Sequence, residues 1–203
     1  MQVILIHGLA RTSLSLLSLE RYLHQAGHHP IQFGYLAFAE SFDHIASRLH
    51  QQFQSIGNQG PYAVVAHSLG GILTRAALGL DPVGHPRHVV MLGPPNRPPR
   101  LATMAWKLPL FQWFTGQCGH NLTCPDFYNG LAPLTSDYTI IAGTRGPRGG
   151  LSPFGHEPND GIVALSETKI YETDPVIQLP VWHTFMMNHP AVQRRVLEAI
   201  GLS

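Results

Sequence analysis

Short, almost unbroken apolar runs recur along the chain, and between them the apolar residues switch to helical spacing. Val3 to Ile6, Ile31 to Tyr35, Tyr62 to Ala66, His88 to Leu92, Tyr138 to Gly143 and Val176 to Leu179 are rich in β-branched residues and bounded by Gly, Pro or Asn. Strands that lack polar alternation are buried on both faces, as in a parallel sheet. Between the first runs, Leu16, Leu19, Leu23 and Ala26 share one helix face after a Thr12 or Ser13 cap, and Phe42, Ile45, Leu49 and Phe53 share another after Ser41. Ile72, Leu73, Ala76, Ala77 and Leu80 repeat the pattern, and Pro190 suits the first turn of a last helix with Val192, Val196, Ala199 and Ile200 inward. Strand and helix in alternation predict the α/β class: a minimal doubly wound, mainly parallel sheet of about six strands with helices on both faces. A length of 203 residues predicts a single domain over 1–203.

Residues 94–135 break the rhythm. They open with Pro94-Pro95-Asn96-Arg97-Pro98-Pro99 and run into Trp106, Leu108, Leu110, Phe111, Trp113 and Phe114. A connection this long is functional or disordered, and the aromatics argue against disorder. Pro109 rules out one unbroken helix. The segment leaves the strand His88 to Leu92 at the carboxyl edge of the sheet, so it is expected to act as a short lid. Half of its large apolar side chains should fill a small core of their own. Trp106, Phe111 and Trp113 are the candidate substrate contacts.

Ala66-His67-Ser68-Leu69-Gly70-Gly71 follows the strand at Tyr62 and opens a helix. Small residues on either side of Ser68 fit a turn so tight that larger side chains would collide with neighbouring elements. Such a turn strains the serine backbone, exposes its Oγ and aims a helix N-terminus at any negative charge developing there. His7-Gly8-Leu9-Ala10 ends the first strand at the same edge, so the N–H groups of Leu9 and Leu69 can converge on one oxygen. Serine needs a base and an orienting acid. Asp43 precedes Ser68, Asp81 ends the following helix, Asp126 lies in the insertion and Asp137 starts a strand at the wrong edge. Asp160, in Asn159-Asp160-Gly161, follows the Tyr138 strand at the correct edge and is the candidate acid, with Asp174 and Glu157 in reserve. His183 and His189 follow the last strand; His189 abuts Pro190 as a helix-start residue, so His183 is the candidate base.

Composition removes several classes of function. A formal charge of +1 with scattered arginines offers no footprint for nucleic acid. No His-Glu-X-X-His spacing or cysteine pair points to a metal, and no cofactor is implied. Cys118 and Cys124 are read as reduced thiols, with one local disulfide as the minority case. No apolar run reaches the ~18 residues of a transmembrane helix, and Met1 to Ile6 has no positive n-region. The expected location is cytoplasmic.

Val3-Ile4-Leu5-Ile6-His7-Gly8-Leu9, Ala66-His67-Ser68-Leu69-Gly70-Gly71, Asp160-Gly161-X-Val163 and His183, in this order, resemble small bacterial α/β-hydrolase esterases and lipases. The resemblance spans nearly the whole chain. It implies the α/β-hydrolase fold and a serine hydrolase, with Ser68 as nucleophile, His183 as base and then acid, Asp160 as orienting carboxylate, and the Leu9 and Leu69 N–H groups as oxyanion hole. The expected activity is carboxylic ester hydrolysis through an acyl-enzyme on Ser68. An acyltransferase or thioesterase on the same triad is the alternative, and a binding module without turnover is the rival from another class. The partner is a small-molecule or lipid ester, reached through transient contact with a membrane surface. The chain leaves little room for a separate cap domain, and fold alone does not fix the substrate.

Overall fold

Six strands, β1 (Gln2–Ile6), β2 (His29–Phe33), β3 (Tyr62–His67), β4 (His88–Leu92), β5 (Asp137–Gly143) and β6 (Val176–Leu179), form one sheet in the order β2-β1-β3-β4-β5-β6. Every neighbouring pair is parallel. The fold is seen in a computed structural model that describes residues 1–80 and 84–201. From β1 the chain winds outward to β2 and then the other way through β3 to β6. The direction of winding reverses between β1 and β3, and in open α/β sheets the crevice at such a point, beyond the carboxyl ends of the strands, is where ligands bind.

Successive β1 residues explain the two-sided packing. Ile4 and Ile6 face one layer, where α2 (Phe42–Gly57) and α3 (Leu69–Leu78), after α1 (Leu17–Gln25), contribute Phe42, Ile45, Leu49, Ile72 and Leu73. Val3 and Leu5 face the opposite layer, where α1 brings Leu19 and Leu23. All six residues of β3 are buried, as its lack of polar alternation requires. The insertion folds as α4 (Arg100–Ala105), α5 (Pro109–Thr123) and α6 (Pro125–Asn129), and the chain closes with α7 (Pro190–Gly201), whose Val192 and Val196 complete the layer of α1. Among the described residues, no helix is long and apolar enough to cross a membrane.

Three local expectations shift. The second strand spans His29–Phe33 rather than Ile31 to Tyr35, because it pairs residue for residue with Gln2–Ile6 and has no partner once β1 ends. Ser41 caps α2 as expected, accepting from the His44 N–H at 3.2 Å, but Thr12 precedes and Ser13 opens a 3-10 turn (Ser13–Leu16), and the Thr12 side chain makes no cap. The six large apolar side chains over 106–114 do not half-fill a core of their own; the insertion reaches the main core further on, through Leu122, Phe127 and Tyr128. Trp106 and Phe111 are half-buried, whereas Leu108, Leu110, Trp113 and Phe114 are exposed, and α4 buries no residue. As expected, no single helix runs through Pro109: α4 ends at Ala105 and Pro109 starts α5, which is itself broken at Gly116.

Candidate active site

The turn from β3 into α3 holds Ser68 at φ 54° and ψ −122°, a left-handed conformation for a residue that is not glycine. Two hydrogen bonds keep it there: the Ser68 N–H donates to the Leu92 carbonyl at 2.9 Å, and the Ser68 carbonyl accepts from the Gly71 N–H at 2.9 Å. Gly70 lets the helix approach the end of β1, since a Cβ there would stand 2.7 Å from the Ile6 carbonyl oxygen and 2.8 Å from that of His7. The strained serine is thereby fixed by packing on both sides.

His183 opens the 3-10 segment after β6 (His183–Asn188), and its Nε2 lies 3.0 Å from the Ser68 Oγ. Its Nδ1 lies 2.6 Å from the Asp160 Oδ2, with both side chains buried. The His183 main-chain N–H donates to the Asp160 carbonyl at 2.9 Å, tying the two loops together a second time. The Asp160 Oδ1 accepts from the N–H groups of Ile162 (3.0 Å) and Val163 (2.7 Å), which leaves Oδ2 for the histidine. With Nδ1–H donating to Asp160, the bare Nε2 can accept the Ser68 hydroxyl proton. Gly93, at φ 55°, passes directly behind this pair. A Cβ there would meet Asp160 Oδ2 and His183 Nδ1 at 3.0 Å each.

The reserve acids are committed elsewhere. Asp174 accepts from the Tyr138 hydroxyl and from the N–H groups of Ile170 and Tyr171. Glu157 pairs with Arg100, whose Nε also binds Glu167, so it ties the start of α4 to the loop that carries Asp160. Asp81 lies outside the described residues. His189 is exposed, and its Nδ1 accepts from the Ala191 N–H at the start of α7. Cys118 and Cys124 are free, and burial pushes the Cys118 thiol up to about 12. Among the described residues, no group of three His, Cys, Asp or Glu side chains could hold a metal ion.

His67, given no role by the motif, is buried beside the histidine of this trio. Its Nε2 bonds the His183 carbonyl oxygen at 3.1 Å, and the two rings lie 4.8 Å apart. Burial, then the charge of His183, hold its pKa well below 6.5, so the ring is neutral and its Nε2–H donates. His7 is also lowered by burial; it stacks flat on Tyr35 at 4.1 Å, and the Tyr35 hydroxyl donates to its carbonyl. These contacts steady the turn that presents Gly8 and Leu9.

Ser68 and His183 open into an apolar cavity of about 510 Å³. Leu9 lines it from the β1 turn, and Phe111, Phe114, Leu108 and Leu110 line it from the insertion. Trp106 does not reach it, because it packs edge-on against Phe111 and against the His120 ring instead. Trp113 points into a neighbouring hollow with Phe38 and Leu36. The helical phase set by Pro109 at the first turn decides this: Phe111 faces the cavity, Phe114 borders both spaces, and Trp113 faces only the neighbouring hollow. Leu69, first residue of α3, has an N–H without an acceptor in its own helix, next to Ser68.

The model of the Alpha/beta hydrolase family matches residues 3–199. The chain belongs to the alpha/beta hydrolase family. Solved structures agree on the fold at low sequence identity. The esterase EaEST from Exiguobacterium antarcticum superposes with a TM-score of 0.72 at 13% identity, over 99% of this chain and 92% of its own. Phospholipase PlaB from Legionella pneumophila gives 0.66 at 17% identity over 84% of this chain, which spans only 46% of the phospholipase. RedJ, a thioesterase of the prodiginine biosynthetic pathway in Streptomyces coelicolor, gives 0.61 at 13% identity over 99% of this chain and 85% of its own. No curated protein sequence matches.

Proposed function

We propose that this hydrolase cleaves carboxylic esters through an acyl-enzyme on Ser68. The observation that carries the reading is the continuous Ser68 Oγ, His183, Asp160 Oδ2 chain, 3.0 and 2.6 Å long in its two links, at the floor of an apolar cavity. In the first half-reaction the Ser68 oxygen attacks the ester carbonyl carbon while His183 Nε2 takes the hydroxyl proton. Asp160 holds the imidazole in the tautomer that can accept it and stabilises the cation formed. The tetrahedral oxyanion meets the Leu9 and Leu69 N–H groups. Its collapse breaks the acyl carbon to alkoxy oxygen bond, and the alcohol departs with the proton from His183. Water then repeats the sequence on the acyl-enzyme and releases the acid.

The wall of Phe111, Phe114, Leu108 and Leu110 suits an acyl chain, each buried methylene contributing about 0.8 kcal/mol until the space is filled. A segment this short favours medium chains over both acetate and palmitate. The exposed rim of Leu108, Leu110 and Trp113 suits transient contact with a membrane or micelle surface. The same triad could pass its acyl group to an alcohol, or accept it from a thioester, and one solved neighbour is a thioesterase. The test is a panel of p-nitrophenyl esters from acetate to palmitate beside a thioester and a phospholipid. Medium-chain esters should be the best substrates, with hydrolysis lost in Ser68→Ala. Preference for the thioester would favour the alternative, and unchanged turnover in Ser68→Ala would end both.

A further inference from the structure

Arg11 is the one charged side chain among the described residues lining the cavity above Ser68, where every acidic group is absent from the wall. It is half-buried, and its visible partner is the Phe185 ring, 5.7 Å from the guanidinium carbon. No ion pair or side-chain hydrogen bond joins it to another described residue. The residue before it, Ala10, stands at φ 53°, a backbone conformation that side chains other than glycine seldom adopt. Strain of this kind persists where the surroundings enforce it, and here it sets the direction in which Arg11 leaves the β1 turn. Arg11 also lines a polar hollow of about 540 Å³ with Arg21, Ser18 and Asn188, again with no acidic residue in its wall. A third, apolar hollow beside Phe38 and Trp113 repeats the pattern, with Arg11 its one charge. Its charge reaches the floor of the site, where it adds to the effects that keep His67 neutral.

A partly desolvated guanidinium without a counter-charge is costly to keep, and its planar fork matches a phosphate. Resting on the ester-hydrolase reading above, we propose that Arg11 receives a phosphate on the alcohol part of the substrate, with Arg21 behind it. The acyl chain then lies along Phe111 and Phe114, and the leaving group is a short phosphate-bearing alcohol such as glycerol phosphate. Phosphate also occurs on the pantetheine arm of an acyl-coenzyme A. Arg11 and Ser68 line one cavity, so a short phosphate-bearing alcohol can keep its phosphate in the same space as the scissile carbonyl. The long pantetheine arm carries its phosphates past that point.

The test compares kcat/KM for 1-octanoylglycerol, 1-octanoylglycerol 3-phosphate, octanoyl-coenzyme A and p-nitrophenyl octanoate in the wild-type protein and in Arg11→Gln, Arg11→Lys and Arg21→Gln. The phosphate ester should exceed its neutral twin by about tenfold or more, the scale of a charge-assisted hydrogen bond. That ratio should collapse in Arg11→Gln, mainly through KM, survive in part in Arg11→Lys, and shrink less in Arg21→Gln. Equal rates for the two glycerol esters in the wild type overturn the proposal without touching the ester-hydrolase reading, and so does a ratio unchanged in Arg11→Gln. Octanoyl-coenzyme A outrunning the phosphate ester overturns the glycerol assignment. Failure on all four substrates, p-nitrophenyl octanoate included, removes the ester-hydrolase reading and the proposal with it.

Discussion

The floor and the roof of the cavity are built differently. On the floor, Asp160 is 1% and His183 4% exposed, and each is held by both side-chain and main-chain hydrogen bonds from loops at the carboxyl edge of the sheet. In the roof, α4 buries nothing, Leu110 is 67% and Trp113 72% exposed, and Arg100 fastens the segment at one end through Glu157 and Glu167. Proton transfer needs donor and acceptor held to within about 0.5 Å, whereas an apolar wall contributes by area and tolerates looseness. Under the proposed function, this division would give rate to the floor and chain-length choice to the roof, and the two should separate under mutation.

The largest effects belong to the floor. Ser68→Ala and His183→Ala should each lower ester turnover by several orders of magnitude, and the double variant should lose little more, because the residues act as a unit. Asp160→Asn should cut kcat by up to ~10⁴ with the fold intact, by presenting the wrong hydrogen-bonding partner to the imidazole. Additive losses in steady-state kinetics would show that the three do not work as one device. Gly93→Ala comes next. Its Cβ would crowd Asp160 Oδ2 and His183 Nδ1 at 3.0 Å and take a left-handed φ, at about 1–2 kcal/mol of backbone cost. Here kcat should fall further than KM rises; a change in KM alone would move Gly93 from the floor to the wall.

Roof variants should do the reverse. Replacing Phe111 and Phe114 together by Ala should flatten the acyl-chain profile and leave acetate hydrolysis nearly unchanged. A loss by the same factor for acetate and octanoate, with circular dichroism unaltered, would dissolve the distinction between the regions.

Acid sharpens the comparison through stability. His67 titrates near 6.5 in the unfolded chain and well below that when folded, chiefly through burial. Above pH 6.5 both states are neutral at this residue and its contribution is complete. As the pH falls from 6.5 toward the depressed value, the unfolded chain takes up a proton that the folded chain refuses, and stability is lost. The thermal midpoint should therefore drop between pH 6.5 and 5, and less steeply in His67→Gln. A midpoint flat over that range would contradict the burial argument. The smallest effect is reserved for Trp113→Ala, which should leave the octanoate-to-acetate ratio where it was, since Trp113 faces the neighbouring hollow.

Much of the floor can be read from the chain because its parts are local. Small residues around Ser68 encode the tight turn directly, and the alternation of β-branched runs with helical spacing places that turn, the Gly8 turn and the Asp160 and His183 loops at one sheet edge. Ends of elements are less legible. The limits of β2 follow from the length of β1, a pairing that no local pattern announces. Which aromatics of the insertion face Ser68 depends on helical phase, set by Pro109 at the start of α5 and the break at Gly116. Pro109, like Pro190, suits a first helical turn, and that phase puts Phe111 and Trp113 on different sides of α5. Arg11 was hidden for a different reason: its direction rests on the left-handed backbone of Ala10, which alanine does not signal.

If the hydrolase works as proposed, Ser68 is the residue that becomes acylated. The direct measurement is intact-protein and peptide mass spectrometry after treatment with a fluorophosphonate and, separately, after rapid acid quench of p-nitrophenyl octanoate turnover. One phosphonyl or octanoyl group is expected, carried by the peptide that contains Ser68, and neither adduct in Ser68→Ala. An adduct on a different residue, or ester turnover that continues in Ser68→Ala, would contradict it.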